Sequence, residues 1–251
     1  MYQLSLDGKV ALITGASRGI GRAIALALAD AGADSAICGR NLPPLEEVAN
    51  EITAKGRQAL ALSANVRHKD DLVNLVQKTM EKFGRIDILI NNAGTNPTMG
   101  SILDLEEWSW DSVMNTNLKA PFLLAQMVGK IMKEQKSGNI INVSSTSGLR
   151  ASVVLGAYSV SKAAIIMLTN VLAADLRRYG VRVNCISPGL VRTEFSRALY
   201  EGREREGAPQ RPAWERLAEA EEMAGIVVFL CSDAASYING DNIVLDNGTG
   251  A

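Results

Sequence analysis

The sequence predicts a doubly wound α/β fold: a seven-stranded parallel sheet with helices on both faces, in one domain spanning residues 1–251. Three observations carry this. Short apolar runs alternate with longer stretches of helical periodicity along the whole chain. The short runs are continuously apolar rather than alternating, as strands buried on both faces require. A glycine-rich turn, "TGASRGIG" (14–21), stands between the first apolar run and the first helical pattern.

In order, the strands are expected at 9–14, 34–38, 58–63, 86–91, 139–144, 182–187 and 242–246. Helical patterns occupy 20–31, 43–55, 68–83, 106–135, 157–179 and 216–231. Right-handed β-α-β crossovers then place helices on both faces of one sheet. No internal repeat or linker interrupts the pattern. The segment 188–213 is polar and rich in breakers, and its portion 190–213 reads as a substrate-binding lid.

Composition narrows the function. With 47% hydrophobic and 21% charged residues the chain can bury a large core. A formal net charge of -1 gives no electrostatic case for nucleic acid or an anionic membrane. No apolar run is read as a membrane span, and no secretory signal is apparent, so a cytoplasmic location is expected. Cys38, Cys185 and Cys231 are scattered and read as buried, reduced thiols, and no metal site is expected.

The glycines of "TGASRGIG" are Gly15, Gly19 and Gly21, with Ser17, Arg18 and Ile20 between them. A glycine turn leading from a buried strand into a helix lets a pyrophosphate reach the positive helix N-terminus. The residue that selects among dinucleotides lies about 20 positions on, at the end of the second strand. Here the sequence reads Gly39, Arg40, Asn41, without the acid that holds a ribose 2′-hydroxyl. Arg18 and Arg40 together suit a 2′-phosphate, so NADP(H) is expected in preference to NAD(H).

"GAYSVSK" (156–162) sets Tyr158 and Lys162 one helical turn apart. A free phenol titrates near ~10, too high for a base at neutral pH. A cation about 4 Å away is expected to lower that value by roughly 3 units. The only histidine, His68, opens a surface helix, which excludes Ser-His-Asp chemistry.

Taken together, "TGASRGIG" (14–21), "NNAG" (91–94), "NTNL" (115–118), "VSS" (143–145), "YSVSK" (158–162) and "SPG" (187–189) resemble the short-chain dehydrogenase/reductase family over essentially the whole chain. The resemblance implies a Rossmann-type fold and hydride transfer between nicotinamide and a ketone or secondary alcohol. It implies Asn117, Ser145, Tyr158 and Lys162 as catalytic residues. Asn117 would hold a relay water, Ser145 and Tyr158 would bind the reacting oxygen, and Lys162 would also hold the nicotinamide ribose. Asn91 would brace the sheet. Asn92, Ala93 and Gly94 would pack beside the cofactor, Asn65 and Val66 at its adenine, and Pro188, Gly189, Val191 and Thr193 along its nicotinamide. Two departures stand out: Asn65 replaces a frequent aspartate, and "DNG" (246–248) replaces "DGG".

The expected substrate wall is Asn96, Pro97, Leu149, Val153, Leu155, Leu190, Phe195 and Trp214, mostly apolar, around Ser145. A 3-oxoacyl-carrier-protein reductase, with Lys136, Arg177 and Arg178 meeting an acidic carrier, and a sugar-acid dehydrogenase are the competing enzyme readings. A nucleotide-sensing regulator is the non-catalytic one. The helices near 106–135 and 157–179 carry surplus apolar residues, among them Leu123, Leu124, Met127 and Val128, and a homotetramer is expected.

Overall fold

The computed structural model describes residues 4–201 and 216–249. Seven parallel strands form one sheet in the order β3-β2-β1-β4-β5-β6-β7. They are β1 Val10–Thr14, β2 Asp34–Gly39, β3 Ala59–Ser63, β4 Ile88–Asn91, β5 Gly138–Val143, β6 Val181–Pro188 and β7 Asn242–Leu245. The helices are α1 Gly19–Asp30, α2 Leu42–Ala54, α3 Lys69–Phe83, α4 Glu107–Met114, α5 Ala120–Gln135, α6 Gly156–Leu176, α7 Arg197–Tyr200 and α8 Ala224–Cys231.

The apolar strand runs are explained by burial on both sides. In β1, Ala11 and Ile13 join a core beneath α1, α2 and α8, while Leu12 joins the opposite core beneath α3, α5 and α6. Successive strand side chains alternate between faces, so a doubly covered strand has no solvent-facing side and is predominantly apolar. The strand order reverses direction between β1 and β4. Loops leaving the C-terminal ends of these two strands must diverge, and they open a crevice there.

Three expectations about elements need correction. The pattern at 106–135 is two helices, separated by a wider π turn at Asn115–Lys119. Pro121, in the first turn of α5, has no N–H for the carbonyl four residues earlier, that of Asn117. The pattern at 216–231 is helical only from Ala224, after a 3₁₀ turn at Ala220–Met223. Ala218 is instead held extended against Val191, with Arg192 N donating to Ala218 O at 2.8 Å. Finally, α6 with its closing turn, Gly156–Tyr179, is long and apolar enough to cross a membrane by length and composition. Its many alanines and its serines dilute the apolar run as read by eye. In the fold it covers β6 and carries Tyr158 and Lys162 to the crevice.

The three cysteines are free and buried, with burial pushing Cys38 and Cys231 up to about 12. Asn247, the departure in "DNG", sits at φ 54°, a left-handed conformation that asparagine tolerates better than most residues with a Cβ.

Candidate active site

The crevice is a single cavity of about 950 Å³ at the C-terminal ends of the strands. At one end the glycine turn closes around the start of α1. Gly15 and Gly19 have φ of 67° and 56°, which favour glycine. A Cβ on Gly21 would overlap the Gly15 carbonyl and the Asn92 side chain. The turn is clamped from β4: Asn92 Nδ2 donates to Thr14 O at 2.9 Å and Gly15 O at 3.0 Å. Thr14 Oγ1 accepts from the backbone N–H groups of Asn92 and Ala93. These bonds tie up the turn's carbonyls and hold its amides at the helix N-terminus, an anion cradle of the expected kind.

Arg18 and Arg40 are exposed and line the cavity beside Ser17 and Gly39. Among the described residues neither guanidinium is engaged in a hydrogen bond or ion pair. Among the described residues no carboxylate lines this end of the cavity. Asn65 and Val66 line it next, with a residue not expected from sequence, Arg67, whose backbone N–H donates to Asn65 Oδ1 at 3.2 Å.

At the other end, α6 brings Tyr158 and Lys162 onto the cavity, facing Ser145 at the end of β5. Gly148 allows this approach: a Cβ there would lie 2.7 Å from the Lys162 backbone carbon. Ser144 points inward, its hydroxyl donating to Lys162 O at 2.7 Å. The half-buried Ser145 is the one in hydrogen-bond reach of the phenol. Its hydroxyl also accepts from Ser147 N at 3.1 Å.

The electrostatics correct the sequence expectation. Desolvation pushes the Tyr158 phenol up to about 12, and the Ser145 hydrogen bond only moderates this. Lys162 does not lower it here. Its side chain is buried, its ammonium donates to Val143 O at 2.7 Å, and it lies 5.4 Å from the Tyr158 ring centroid. Desolvation brings the lysine itself down to about 8. Burying both groups outweighs their mutual attraction, because each loses its hydration while the lysine satisfies a backbone carbonyl instead of the phenol.

Asn117 is a second correction. It is 1% exposed and does not line the cavity. Its side chain accepts from Thr95 N at 2.8 Å and donates to Thr95 O and to Ser161 Oγ, both at 3.0 Å. Both amide hydrogens are therefore committed. Ser161, unmarked in sequence, donates onward to Tyr158 O at 2.7 Å. Asn91 fulfils its bracing role, donating to Asn142 Oδ1 at 2.9 Å across to β5.

Of the remaining expected residues, Ile20, Ala93, Gly94, Asn96, Pro97, Leu155, Pro188, Gly189, Leu190, Val191, Thr193 and Phe195 line the cavity. Three do not. Asn41 starts α2 and is exposed, because the chain turns away after Arg40. Leu149 and Val153 point to solvent, and Val154 and Ser152 line the cavity in their place. Met99, Glu194 and Leu199 also line it and carry no local sequence signal. Trp214, and the part of the expected lid from 202 to 213, lie outside the described residues.

Comparison with known proteins agrees with this arrangement. Residues 9–204 match the family model described as short chain dehydrogenase. Dehydrogenase/reductase SDR family member 4 of Homo sapiens is 38% identical over 245 residues, 97% of this chain and 88% of that protein. A 3-oxoacyl-[acyl-carrier-protein] reductase of Synechocystis is 39% identical, covering 97% of this chain and 98% of the relative. A solved 7α-hydroxysteroid dehydrogenase, complexed with NADH and 7-oxo glycochenodeoxycholic acid, is 31% identical with a TM-score of 0.88, covering 98% of this chain and 96% of that one. A family match over most of the chain, relatives at this identity and the shared fold agree with the glycine cradle and the Ser145–Tyr158–Lys162 cluster: the chain belongs to the short-chain dehydrogenase/reductase family of oxidoreductases.

Proposed function

We propose that this protein is an NADP(H)-dependent carbonyl reductase or secondary-alcohol dehydrogenase. The observation that carries the reading is the cavity itself. It joins a phosphate cradle flanked by two uncommitted arginines to a serine, tyrosine and lysine at its far end. The glycine turn, the open amides at the α1 N-terminus and the Arg18–Arg40 pair fit a dinucleotide bearing a 2′-phosphate. When bound, that cofactor supplies the hydride chemistry.

The chain's own residues bind and orient the reacting oxygen and move its proton. Ser145 donates a hydrogen bond to the carbonyl oxygen and stabilises its growing negative charge. Tyr158, a neutral phenol at physiological pH, gives its proton to that oxygen and recovers one by way of Lys162. The lysine, near 8, can take part in proton exchange without a large energetic gap. Asn117 fixes the 94–97 loop and α6 in register. With its amide hydrogens committed, it can assist a relay water only as an acceptor, through Oδ1 or the carbonyl that Pro121 leaves without a helical donor.

Cofactor oxidation over a panel of ketones, 3-oxoacyl thioesters and keto-sugars tests the proposal. Turnover of ketones with NADPH is expected. The carrier-protein reading is favoured by the Synechocystis relative and would appear as a preference for the thioesters. Lys136, Arg177 and Arg178 stand where α5 and α6 end and β5 and β6 begin, across the sheet from the cavity of the same chain.

A cytoplasmic homotetramer is part of the proposal. Its support differs from the sequence argument. Leu124 and Val128 are buried, and Leu123 and Met127 pack against the core. The apolar residues left outward on α5 and α6 are Phe122, Val160, Met167 and Val171. Light scattering at micromolar concentration checks the assembly, and a monomer would remove it.

A further inference from the structure

The substrate end of the cavity does not stop at its mouth. On one side, the segments 99–103 and 152–155 are stitched together: Gly100 pairs with Leu155, and Gly100 N donates to Val154 O at 3.2 Å. Ile102 packs against the start of α6, where a Cβ on Gly156 would lie 3.0 Å from its own. Met99, Val154 and Leu155 from this wall line the cavity. Immediately outside, Leu103 is 92% and Val153 86% exposed. The opposite wall is Leu190, Phe195 and Leu199, and the Phe195 ring lies 5.9 Å from the ring of Tyr158. Apolar residues therefore line the reacting end of the cavity, and the same two stitched segments carry two almost fully exposed aliphatic side chains.

Charge is nearly absent at this end. Besides Tyr158 and Lys162, the one ionisable side chain lining this end among the described residues is Glu194, and it is paired with Arg197 at 2.7 Å. Among the described residues lining this end, a phosphate or carboxylate on the substrate would find no cation besides the buried Lys162, whereas a hydrocarbon would remove apolar surface from water. Large exposed aliphatic groups gathered beside a cavity are unusual enough to mark a binding surface.

Resting on the functional reading above, we infer that Leu103 and Val153 form an outer subsite for the uncharged, lipophilic remote half of the substrate, so that the enzyme selects ketones or secondary alcohols with long apolar tails. Sugars and small polar ketones would leave this surface wet and gain nothing from it.

The test is a series of 2-alkanones from butanone to dodecanone, assayed with NADPH for the parent protein and for the double variant Leu103→Asp, Val153→Asp. Both positions are exposed, so the fold is expected to be retained, with an unchanged melting temperature as the control. For the parent, kcat/KM should rise about threefold per methylene over several methylenes, a little below the roughly fourfold of complete burial. The variant should match the parent on butanone within about twofold and lose most of the rise. A flat parent profile, or a variant with the parental slope, overturns the inference. A variant that dissociates the assembly but keeps the slope overturns it too, by assigning the rim to a second copy of the chain. Absence of turnover on every ketone would instead count against the functional reading. The subsite is then judged by calorimetric binding of 2-decanone to the parent and variant with NADP⁺ present. At least about tenfold weaker binding to the variant supports it, and equal binding overturns it.

Discussion

Lys162 Nζ donates to the carbonyl of Val143 at 2.7 Å, so the ammonium opposite Tyr158 is anchored to the last residue of β5. Its burial has a thermodynamic consequence. The group titrates at about 8 in the folded protein against 10.5 for the free side chain. Between those values the unfolded chain holds the proton and the folded chain does not, so this lysine makes stability rise with pH across that window. Below about 8 the folded state bears the full burden of the buried charge, roughly 3 kcal/mol. Lys162→Met removes the charge but leaves the Val143 carbonyl unpaired. A net gain of about 1–2 kcal/mol at pH 7 is expected, or roughly 3–6 °C in Tm. The gain should shrink toward pH 10, and activity should be lost. Calorimetry at pH 7 and pH 10 checks this; an equal difference at both values contradicts the assignment.

Tyr158→Phe should lower kcat by at least about 10² and leave NADPH affinity nearly intact, because proton transfer contributes about 10²–10⁴. The phenol's position near 12 adds a direction. Reduction, which uses the neutral acid, should lose no activity to ionisation of the phenol at pH 8–9, so any fall there should track Lys162 instead. Steady-state kinetics with titration of NADPH fluorescence separates the two effects. Wild-type turnover in the variant would exclude the proton-transfer role.

The proposed preference for NADP(H) rests on Gly39, Arg40 and Arg18. A Cβ on Gly39 would lie 3.6 Å from Ser17 Oγ and from Leu45 Cδ2, ordinary contacts, so an aspartate fits without moving the backbone. Two charged hydrogen bonds to a 2′-phosphate, less their desolvation, should favour NADPH over NADH by roughly 10²-fold in kcat/KM. Gly39→Asp with Arg40→Leu should reverse the preference. Equal or better use of NADH by the unmodified protein would show both arginines to be ordinary surface charges.

Ser161 links Asn117 to the carbonyl of Tyr158 and is fully buried. Ser161→Ala strands one Asn117 amide hydrogen and should destabilise the fold by about 1–3 kcal/mol. As a positioning residue it should also lower kcat several-fold with KM for NADPH unchanged. Loss of stability with unaltered kcat would make its role structural only. Urea unfolding and initial rates measure the two separately.

The order of strands and helices was legible in the chain because doubly buried strands are predominantly apolar, and "VALIT" or "ILIN" can read in few other ways. The phosphate cradle was equally legible, since the backbone at Gly15, Gly19 and Gly21 leaves little room for another residue. The juxtaposition of Tyr158 and Lys162 followed from one helical turn, whereas Ser145 was implied by the family resemblance. What the tertiary structure alone decided is where side chains spend their hydrogen bonds and hydration. Asn117 is committed to Thr95 and Ser161, and Lys162 to Val143, through partners 19 to 44 positions away. Val153 stays outside the cavity while Val154 lines it, beside the tertiary pairing of Gly100 with Leu155. Periodicity carries local geometry; a pKa or a cavity wall is set by distant atoms that folding brings together.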